Sequence, residues 1–531
     1  MKTMMKIAAC LVTGCLLLGI LTMARVPADM LSEDCILVDQ PSVTIDEQAI
    51  YQELFDPHSL VEIELHMSKE QVADIQREYE YYRQVGAKST TYRIADSVTF
   101  TINGKKYVIE EVGVRMKGAK SRCNFYNDVL GVYNLTNLLI SFNQTFDDTN
   151  EYGLETRVWN SKQERKKREN RTFATLQTME LKWNQTADNT YVRNSYVHEV
   201  FRSNGIPAQQ CRLTTLSIRG CKMGIFRLFE PVDETFIRRY FLPRDWGGDL
   251  YKAKGTETSL ATFRPYTTYG VVKKDKSEYY NYDLHTNILT SEHESLRHLI
   301  EVVNRPQVTR EELDSVIDTD WLSRFTAINF AMGNMDDLRC NYNNYFVYFR
   351  GSDGKAVFIP YDCEIVMGAI YSWNTPGRGL TEVSPYFTSH FEFSIEQDNP
   401  IMLQVILPDG YYNDQYNAFL RDIVQSKWFR PATFEAYYRP IAANYSDKVI
   451  SKYNYMSTIH MNLDFSMEGG PAYNGNLSIA EFMEKMKQNI ERNVPRLRRN
   501  REPCRGEFAC GIQNRKKRLF RREQPLFRFT R

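Results

Sequence analysis

The spacing of apolar and polar positions divides the chain into two halves. In the first half, residues 92–115 and 213–229 alternate as strands do, and Asn103-Gly104 is typical of a type I′ hairpin turn. After Glu230 the apolar positions recur at helical spacing in six segments: 292–303, 309–317, 321–332, 411–426, 433–452 and 478–492. The pattern predicts an α+β fold with a β-rich first half and a helix-rich second half.

The first half also contains predicted helices and one charged segment. Residues 60–82 predict a strand and then a helix capped by Ser68, and residues 193–204 predict a second helix. Residues 150–172 are polar and resemble an insertion, with the dibasic run Arg165-Lys166-Lys167-Arg168. We expect a solvated loop there, with a proteolytic processing site as the alternative.

The amino terminus has the pattern of a secretory signal. Lys2 and Lys6 precede an apolar stretch, residues 7–24, and small residues follow up to Ala28. We predict a signal peptide over residues 1–28, with an uncleaved signal anchor as the alternative and a lipobox at Cys15 ranked last. The protein is then expected to be secreted, extracellular or in the secretory lumen. It would contact a membrane only through an uncleaved amino-terminal segment.

The net charge of +1 hides a basic carboxyl terminus. Residues 496–531 contain 13 Lys or Arg and 3 Asp or Glu, a net charge of +10, which leaves −9 for the rest of the chain. A mildly acidic body argues against a nucleic-acid-binding core. We expect the tail to be a solvated extension; the alternative is electrostatic attachment to a polyanionic surface, an anionic membrane or an acidic partner.

Cysteines and glycosylation sequons fit an exported protein. Eight cysteines follow the signal, and an even number in an oxidising compartment suggests disulfides. Cys211 with Cys221 and Cys504 with Cys510 are plausible local pairs, whereas Cys340 and Cys363 are equally well explained as a pair or as buried thiols. The spacing argues against a zinc site. Six Asn-X-Ser/Thr sequons begin at Asn134, Asn143, Asn170, Asn184, Asn444 and Asn476.

Acidic and amide residues flank a predicted hairpin between residues 334 and 368. Asp336, Asp337 and Asn344 precede its first strand, and Asp362 and Glu364 follow its second. Because a hairpin brings its two ends together, these side chains should form one cluster. Mg²⁺ and Mn²⁺ prefer such oxygen ligands; the alternative is that these Asp and Asn residues only cap turns at strand ends.

The same segment resembles the signature of the CotH family, the atypical protein kinases similar to spore coat protein H. It matches that family's Asp, Asn-Asn-Tyr and Pro-(Trp/Tyr)-Asp-X-(Asp/Glu) elements. Other blocks of the family occur in the family's order, and together they cover roughly residues 60–495. These blocks are Gly113–Ser121, Gly220–Phe236, Asp249–Lys252 and Ile317–Leu322.

The resemblance implies a two-lobed, atypical protein-kinase-like fold with ATP in the cleft. A β-rich N-lobe would span residues 60–235, a helix-rich C-lobe residues 236–495, and residues 29–59 would be a linker and lead-in. The implied function is transfer of the ATP γ-phosphoryl group to Ser or Thr of exported or cell-surface proteins, with Mg²⁺ or Mn²⁺ as cofactor. The alternative is a catalytically silent surface protein or adhesin on the same fold.

The resemblance also implies roles for the acidic and amide residues. Asp362, in Pro-Tyr-Asp-X-Glu, is similar to the family's metal-binding Asp, and Asn344 would supply an amide ligand to the metal. Asp336 follows Asn334-Met335 as the family's catalytic Asp does, and would orient or deprotonate the substrate hydroxyl. Asp337 is the alternative for that role, because the loop before Asn344 is longer than in the family pattern.

The amino-terminal block would hold phosphates through Arg115 and Lys117, which lie between Gly113 and Gly118. The family usually has a Lys-rich strand soon after this block, but residues 137–142 contain no Lys here. Lys182 or Lys252 could supply the missing cation. Glu230, where strands give way to helices, is expected at the hinge between the lobes.

Overall fold

The computed structural model describes residues 35–40, 43–86, 88–118, 121–127, 129, 131–186, 188–255, 260–272, 280–369, 377–388, 399–450, 464–470 and 475–495. The predicted signal segment and the basic tail lie outside these residues. The strands are β1 (Cys35–Leu37), β2 (Val61–His66), β3 (Arg93–Ile102), β4 (Lys105–Lys117), β5 (Tyr126–Asn127), β6 (Val132–Tyr133), β7 (Asn137–Ser141), β8 (Thr178–Trp183), β9 (Cys211–Ile218), β10 (Cys221–Phe229), β11 (Leu250–Ala253), β12 (Tyr269–Gly270), β13 (Tyr282–Leu284), β14 (Tyr345–Phe349) and β15 (Ala356–Pro360).

The helices occur in both halves but are longer and more frequent in the second. They are α1 (Glu47–Phe55), α2 (Lys69–Val85), α3 (Thr149–Tyr152), α4 (Lys162–Glu169), α5 (Arg193–Ser203), α6 (Glu234–Tyr240), α7 (Glu294–Val303), α8 (Arg310–Val316), α9 (Thr319–Ala331), α10 (Gly377–Leu380), α11 (Asn413–Gln425), α12 (Pro431–Tyr445) and α13 (Ile479–Asn493). A π-helix spans Met402–Ile406. Within the described residues, no helix is both long and apolar enough to cross a membrane.

Seven strands of the first half close into a barrel. They pair in the order β4-β3-β2-β9-β10-β8-β7, and β7 pairs again with β4. The length of β4 permits this closure, because its residues 105–114 pair with β3 and its residues 113–117 pair with β7. Alternate side chains such as Val114, Ile140 and Leu181 fill the interior. The sequence pattern predicted these strands but not their closure.

The charged segment 150–172 is mostly exposed, as its composition predicted, but part of it is a helix and not a loop. Its helix α4 packs on the barrel, where Arg168 is only 9% exposed and donates to the Gln144 carbonyl at 2.9 Å. Arg168 and Arg171 both donate to the backbone carbonyl of Glu111, a residue of β4 with a φ of +48°. The dibasic run therefore belongs to an ordered helix that holds the bend of β4, which disfavours proteolytic processing there.

A second sheet of five strands lies in the chain's second half, in the order β12-β13-β11-β14-β15. The predicted hairpin is β14–β15, with Tyr345 paired to Pro360. One face of this sheet packs against α6 through Leu250, Tyr348 and Ile359. The other face packs against the larger helical core, where the Phe358 and Phe325 rings lie 5.8 Å apart.

The predicted α+β class is confirmed, and so are most predicted helices. The six segments predicted as helices after Glu230 correspond to α7, α8, α9, α11, α12 and α13. The greatest difference is α12, which ends at Tyr445 instead of residue 452. In the first half, Ser68 caps α2 through a complete capping box with Gln71, as its position predicted.

Candidate active site

Charged side chains line part of the barrel's outer face because residues alternate along its strands. On β8, Met179, Leu181 and Trp183 belong to the interior core, which leaves Glu180 and Lys182 on the outer face. Strand pairing then places Arg227 of β10 directly opposite Lys182. Lys117 stands at the end of β4, beside the same strands.

The end of the five-stranded sheet meets this charged face. Tyr361 and Asp362 follow β15 directly, and Lys252 of β11 lies in the same sheet. The side-chain nitrogens of three lysines surround the Tyr361 ring: Lys252 at 3.8 Å, Lys182 at 4.7 Å and Lys117 at 5.3 Å from its centroid. Three buried or half-buried lysine side chains around one aromatic ring make this place a candidate for binding an anion.

Two sets of ion pairs connect the barrel wall to the sheet. Lys182 Nζ lies 2.7 Å from Asp362 Oδ1 and 3.9 Å from Glu364 Oε1. Arg227 Nη2 lies 3.5 Å from the same Glu364 oxygen, so positive and negative charges alternate from Arg227 to Asp362. Lys117 pairs with Glu180, which also accepts a hydrogen bond from the Tyr361 hydroxyl at 3.2 Å.

Burial and neighbouring charges shift the pKa values of this cluster in opposite directions. Burial raises the pKa of Asp362, but Lys182 and then Lys252 outweigh it and hold that pKa at about 2. Burial, followed by Lys254 and Lys182, lowers the pKa of Lys252 to about 7. Burial and the neighbouring lysines also hold the pKa of Lys117 well below its ordinary value. An anion bound between these lysines would stabilise their charged forms.

The loop that precedes β14 carries the predicted catalytic residues. Asp336 is the one partly exposed residue of 331–340, and its Oδ1 accepts a hydrogen bond from Asn341 Nδ2 at 3.1 Å. Asp337 is buried and forms an ion pair with Arg339 at 2.8 Å, and it also accepts from the backbone of that residue. These contacts give Asp337 a structural role in the loop and leave Asp336 as the better candidate for substrate contact.

Four predicted site residues, Lys117, Lys182, Lys252 and Asp362, lie in one cluster. Asn344 lies beside it, where its carbonyl accepts a hydrogen bond from the backbone nitrogen of Tyr361 at 3.2 Å.

Two residues predicted for the nucleotide region, Arg115 as a phosphate binder and Glu230 at the hinge, make their contacts outside the cluster. Arg115 lies over the Tyr92 ring, 4.9 Å from its centroid. Glu230 is fully buried and pairs with Arg239 and the Tyr240 hydroxyl. Glu230 therefore anchors α6 to the end of β10, which fits its expected place between strands and helices but not contact with a cofactor.

A family model described as CotH kinase protein matches residues 148–497, most of the chain. The chain belongs to the CotH family. The match includes Lys182, Lys252, Asp336 and Asp362, whereas the block that contains Lys117 precedes it. No curated protein matches the chain.

Three residues of the CotH cluster were not predicted as site residues: Glu180, Arg227 and Tyr361. Glu180 and Arg227 share strand faces with Lys182 and Phe229, because alternate residues of a strand share a face. Tyr361 directly precedes the predicted Asp362. Glu180 is two residues before Lys182, and Arg227 is two residues before Phe229, over whose ring Lys182 also lies at 4.9 Å. What the sequence did not show is that β8 and β10 are neighbours.

The oxygen atoms of this CotH site fit a hard divalent cation. The Asp362 and Glu364 carboxylates are close together, because Lys182 Nζ lies 2.7 Å from an oxygen of the first and 3.9 Å from an oxygen of the second. Within the described chain, no group of three His, Cys, Asp or Glu side chains could hold a metal. Mg²⁺ in kinases usually takes one or two protein carboxylates together with the phosphates, and this site can supply two.

The cysteine pairs expected from the sequence are not present in the described chain. Cys211 and Cys221 lie at opposite ends of the β9–β10 hairpin, so the predicted local bond between them is wrong. Cys340 and Cys363 are both buried free thiols, which corresponds to the second of the two interpretations. Cys504 and Cys510 lie outside the described residues.

Proposed function

We propose that this CotH family member is a protein kinase that transfers the γ-phosphoryl group of ATP to Ser or Thr of exported proteins. In this proposal the barrel and the sheet-and-helix region correspond to the two lobes of a kinase, with the nucleotide between them. The observation that carries it is the Lys182–Asp362 ion pair, flanked by Lys117 and Lys252. Phosphoryl transfer depends mainly on positioning and on neutralising phosphate charge, and these residues provide both.

The residues divide into phosphate binders and cation ligands. Lys117, Lys182 and Lys252 would bind the phosphate oxygens, because their ammonium groups lie around the one Tyr361 ring and can donate hydrogen bonds to an anion there. Asp362 and Glu364 would hold Mg²⁺ or Mn²⁺. When bound, the cation neutralises the charge that develops on the phosphate oxygens.

Asp336 would act on the acceptor. Its carboxylate is partly exposed and is held by Asn341, so it can accept a hydrogen bond from a Ser or Thr hydroxyl. The hydroxyl oxygen forms the new bond to the γ-phosphorus, the bond to the bridging oxygen of ADP breaks, and the hydroxyl proton passes to Asp336 or to solvent.

The direct test is transfer of labelled phosphate from ATP in the presence of Mg²⁺ or Mn²⁺. Wild-type protein should label itself or an exported acceptor, and Asp362→Asn and Lys182→Met should not. Asp353→Asn is the matched control, because Asp353 forms an ion pair with Arg350 at the opposite end of the same hairpin. Equal labelling by wild type and Asp362→Asn would show that the site is assigned wrongly.

A catalytically silent surface protein or adhesin remains the second candidate. It is favoured by the absence of any Lys on β7, where the family pattern has a Lys-rich strand. Failure of wild-type protein to bind ATP with a divalent cation, measured as a metal-dependent thermal shift, would support this alternative.

We also propose that the mature protein is exported and that its basic tail attaches it to a polyanionic surface. Support comes from the amino-terminal apolar segment and from the net charge of +10 over residues 496–531. Removal of those residues should reduce retention on heparin-coated beads at low salt and leave phosphate transfer to a small neutral peptide unchanged. Equal retention of both forms across a salt series would remove the attachment proposal.

A further inference from the structure

Arg227 is buried more deeply than a cation normally is. Its side chain is 2% exposed, and Nη2 lies 3.5 Å from Glu364 Oε1 and donates to the Trp183 carbonyl at 3.3 Å. Its Nε and Nη1 atoms have no hydrogen-bond partner among the described residues. A guanidinium is costly to bury with unpaired donors, so simple packing does not account for Arg227.

Helix α5 presents unpaired polar atoms to the same region. Asn194 and His198 are four residues apart and share one face of the helix, and the His198 ring lies 6.1 Å from the ring of Phe229. Phe229 shares the outer face of β10 with Arg227. Both amide atoms of Asn194 and Nε2 of His198 are buried without a partner in the described chain.

His198 adds no positive charge to this region. Its Nδ1 lies 3.0 Å from the Gln209 carbonyl, so Nδ1 carries the proton and Nε2 is an acceptor. Burial, and then Arg202, lowers the pKa of His198 to about 3, which keeps the ring neutral. Arg227 is therefore the cation of β10 that lies beside Glu364.

Glu364 is the residue that Arg227 would hold. Lys182 and Arg227 both lie near its Oε1 atom, and Lys182 is also bonded to Asp362. In the proposed kinase, Lys182 must release Asp362 to bind phosphate. Once Lys182 has moved to the phosphate, Arg227 would be the positively charged side chain of the cluster that still lies beside Glu364.

We propose that Arg227 is a positioning residue that keeps Glu364 in place while Lys182 exchanges Asp362 for a nucleotide phosphate. This role rests on the proposed kinase function. Arg227 touches neither the nucleotide nor the acceptor in this scheme. Its effect is on how well Glu364 and Asp362 hold the divalent cation together.

The test measures binding of Mn²⁺ in the presence of a non-hydrolysable ATP analogue, from the electron paramagnetic resonance signal of free Mn²⁺. Arg227→Met should weaken Mn²⁺ binding about tenfold, the usual effect of losing a residue that orients a metal ligand. Arg227→Lys should recover part of the loss, because it keeps the charge but loses the fork of the guanidinium. Unchanged Mn²⁺ affinity in Arg227→Met would overturn the proposal.

Arg193→Met is the matched control for loss of a buried arginine. Arg193 is also fully buried, lies on α5 and pairs with Asp188 at 3.3 Å, away from the cluster. The Arg193→Met protein should be less stable than wild type and should bind Mn²⁺ with wild-type affinity. Equal losses of affinity in Arg193→Met and Arg227→Met would attribute the effect to folding and reject the positioning role. If Arg227→Met does not fold, Arg227→Lys provides the same test, with an expected loss smaller than tenfold, and unchanged affinity there would likewise reject the positioning role.

The binding measurement also separates the two proposals. Wild-type protein that binds Mn²⁺ with the analogue but transfers no phosphate would reject the kinase function alone. Phosphate transfer by wild type, together with unchanged Mn²⁺ affinity in Arg227→Met, would reject the positioning role alone.

Discussion

Lys182 and Asp362 form a direct ion pair, with 2.7 Å between Nζ and Oδ1, although 180 residues separate them in the chain. The pair joins the outer wall of the barrel to the end of the five-stranded sheet. Lys182 is 4% exposed and Asp362 is 32% exposed, so the acid is the partner that solvent or a ligand can reach. A bound phosphate would therefore compete with Asp362 for an ammonium that is already in place.

The first prediction concerns the unequal burial of these two partners. Asp362→Asn leaves the deeply buried ammonium of Lys182 without its nearest partner and should destabilise the fold by roughly 3 kcal/mol. Lys182→Met should cost less, because Asp362 can be solvated. The double variant should be more stable than the sum of the single effects predicts, by roughly 1–2 kcal/mol. Urea unfolding of the four proteins measures this, and additive effects would contradict a direct coupling.

The second prediction concerns the pH dependence that Lys252 gives to stability. Its pKa in the folded protein is about 7, below the ordinary value of 10.5, so between these pH values the folded state binds fewer protons than the unfolded state. This contribution therefore makes the free energy of unfolding rise with pH from about 7 to about 10.5. Lys252→Met should remove that part of the slope.

Lys105→Met is the control for this prediction, because Lys105 is exposed at the β3–β4 turn. Denaturant unfolding at pH 6.5, 8 and 9.5 should show a smaller rise for Lys252→Met than for wild type and Lys105→Met. Parallel curves for all three proteins would show that the Lys252 ammonium is not disfavoured by burial.

Residue patterns predicted the local elements of this protein better than the contacts between them. Ser68 predicted the start of α2, and the pattern of residues 334–368 predicted the β14–β15 hairpin, because both signals depend on neighbours in sequence. The pairing of β4 with both β3 and β7 depends on residues far apart and has no local signal. The sequence therefore predicted strands without predicting a closed barrel.

In the candidate site, too, the residues in local motifs were predicted and the contacts between distant strands were not. Asp362 and Lys252 were predicted because they lie in motifs of the family. Lys182 was predicted as one of two residues that could replace the Lys that the family has in the strand after Gly118. Arg227 has no motif of its own, and its place beside Glu364 depends on which barrel strands are neighbours. Segment 150–172 is mostly exposed, as its charges predicted, but its charges did not predict that Arg168 and Arg171 bond to the backbone carbonyl of Glu111 in the barrel.

The third prediction concerns the reactivity of the free cysteines. Cys211, Cys340 and Cys363 are at most 1% exposed, and burial raises the pKa of each thiol above its ordinary value. Only a thiolate reacts readily, so iodoacetamide should label these three residues only after unfolding. Cys35 and Cys221 are partly exposed and should be labelled first in the native protein. Mass-spectrometric mapping measures the order, and early labelling of Cys340 or Cys363 would contradict their burial.

The last prediction concerns which sequons can carry a glycan when the protein is expressed in a eukaryotic secretory host. Asn170 is exposed at the end of α4, where its side chain makes one cap hydrogen bond to the Lys166 carbonyl at 2.8 Å. Asn184 is 3% exposed, and its amide nitrogen donates to the Asp188 carbonyl at 2.8 Å. A glycan on Asn184 would break that bond and would not fit in the core, whereas one on Asn170 would extend into solvent.

Folded, secreted protein should therefore carry a glycan on Asn170 and none on Asn184. Asn134 and Asn476 are also buried and should be unmodified. Asn170→Gln should remove one glycan and leave the unfolding midpoint nearly unchanged, because a single exposed cap contributes about 1 kcal/mol. Enzymatic deglycosylation in ¹⁸O-labelled water, followed by mass spectrometry, identifies each occupied site. A glycan on Asn184 in folded monomer would contradict this packing, because that side chain is 3% exposed and both its amide atoms bond to the backbone of Asp188.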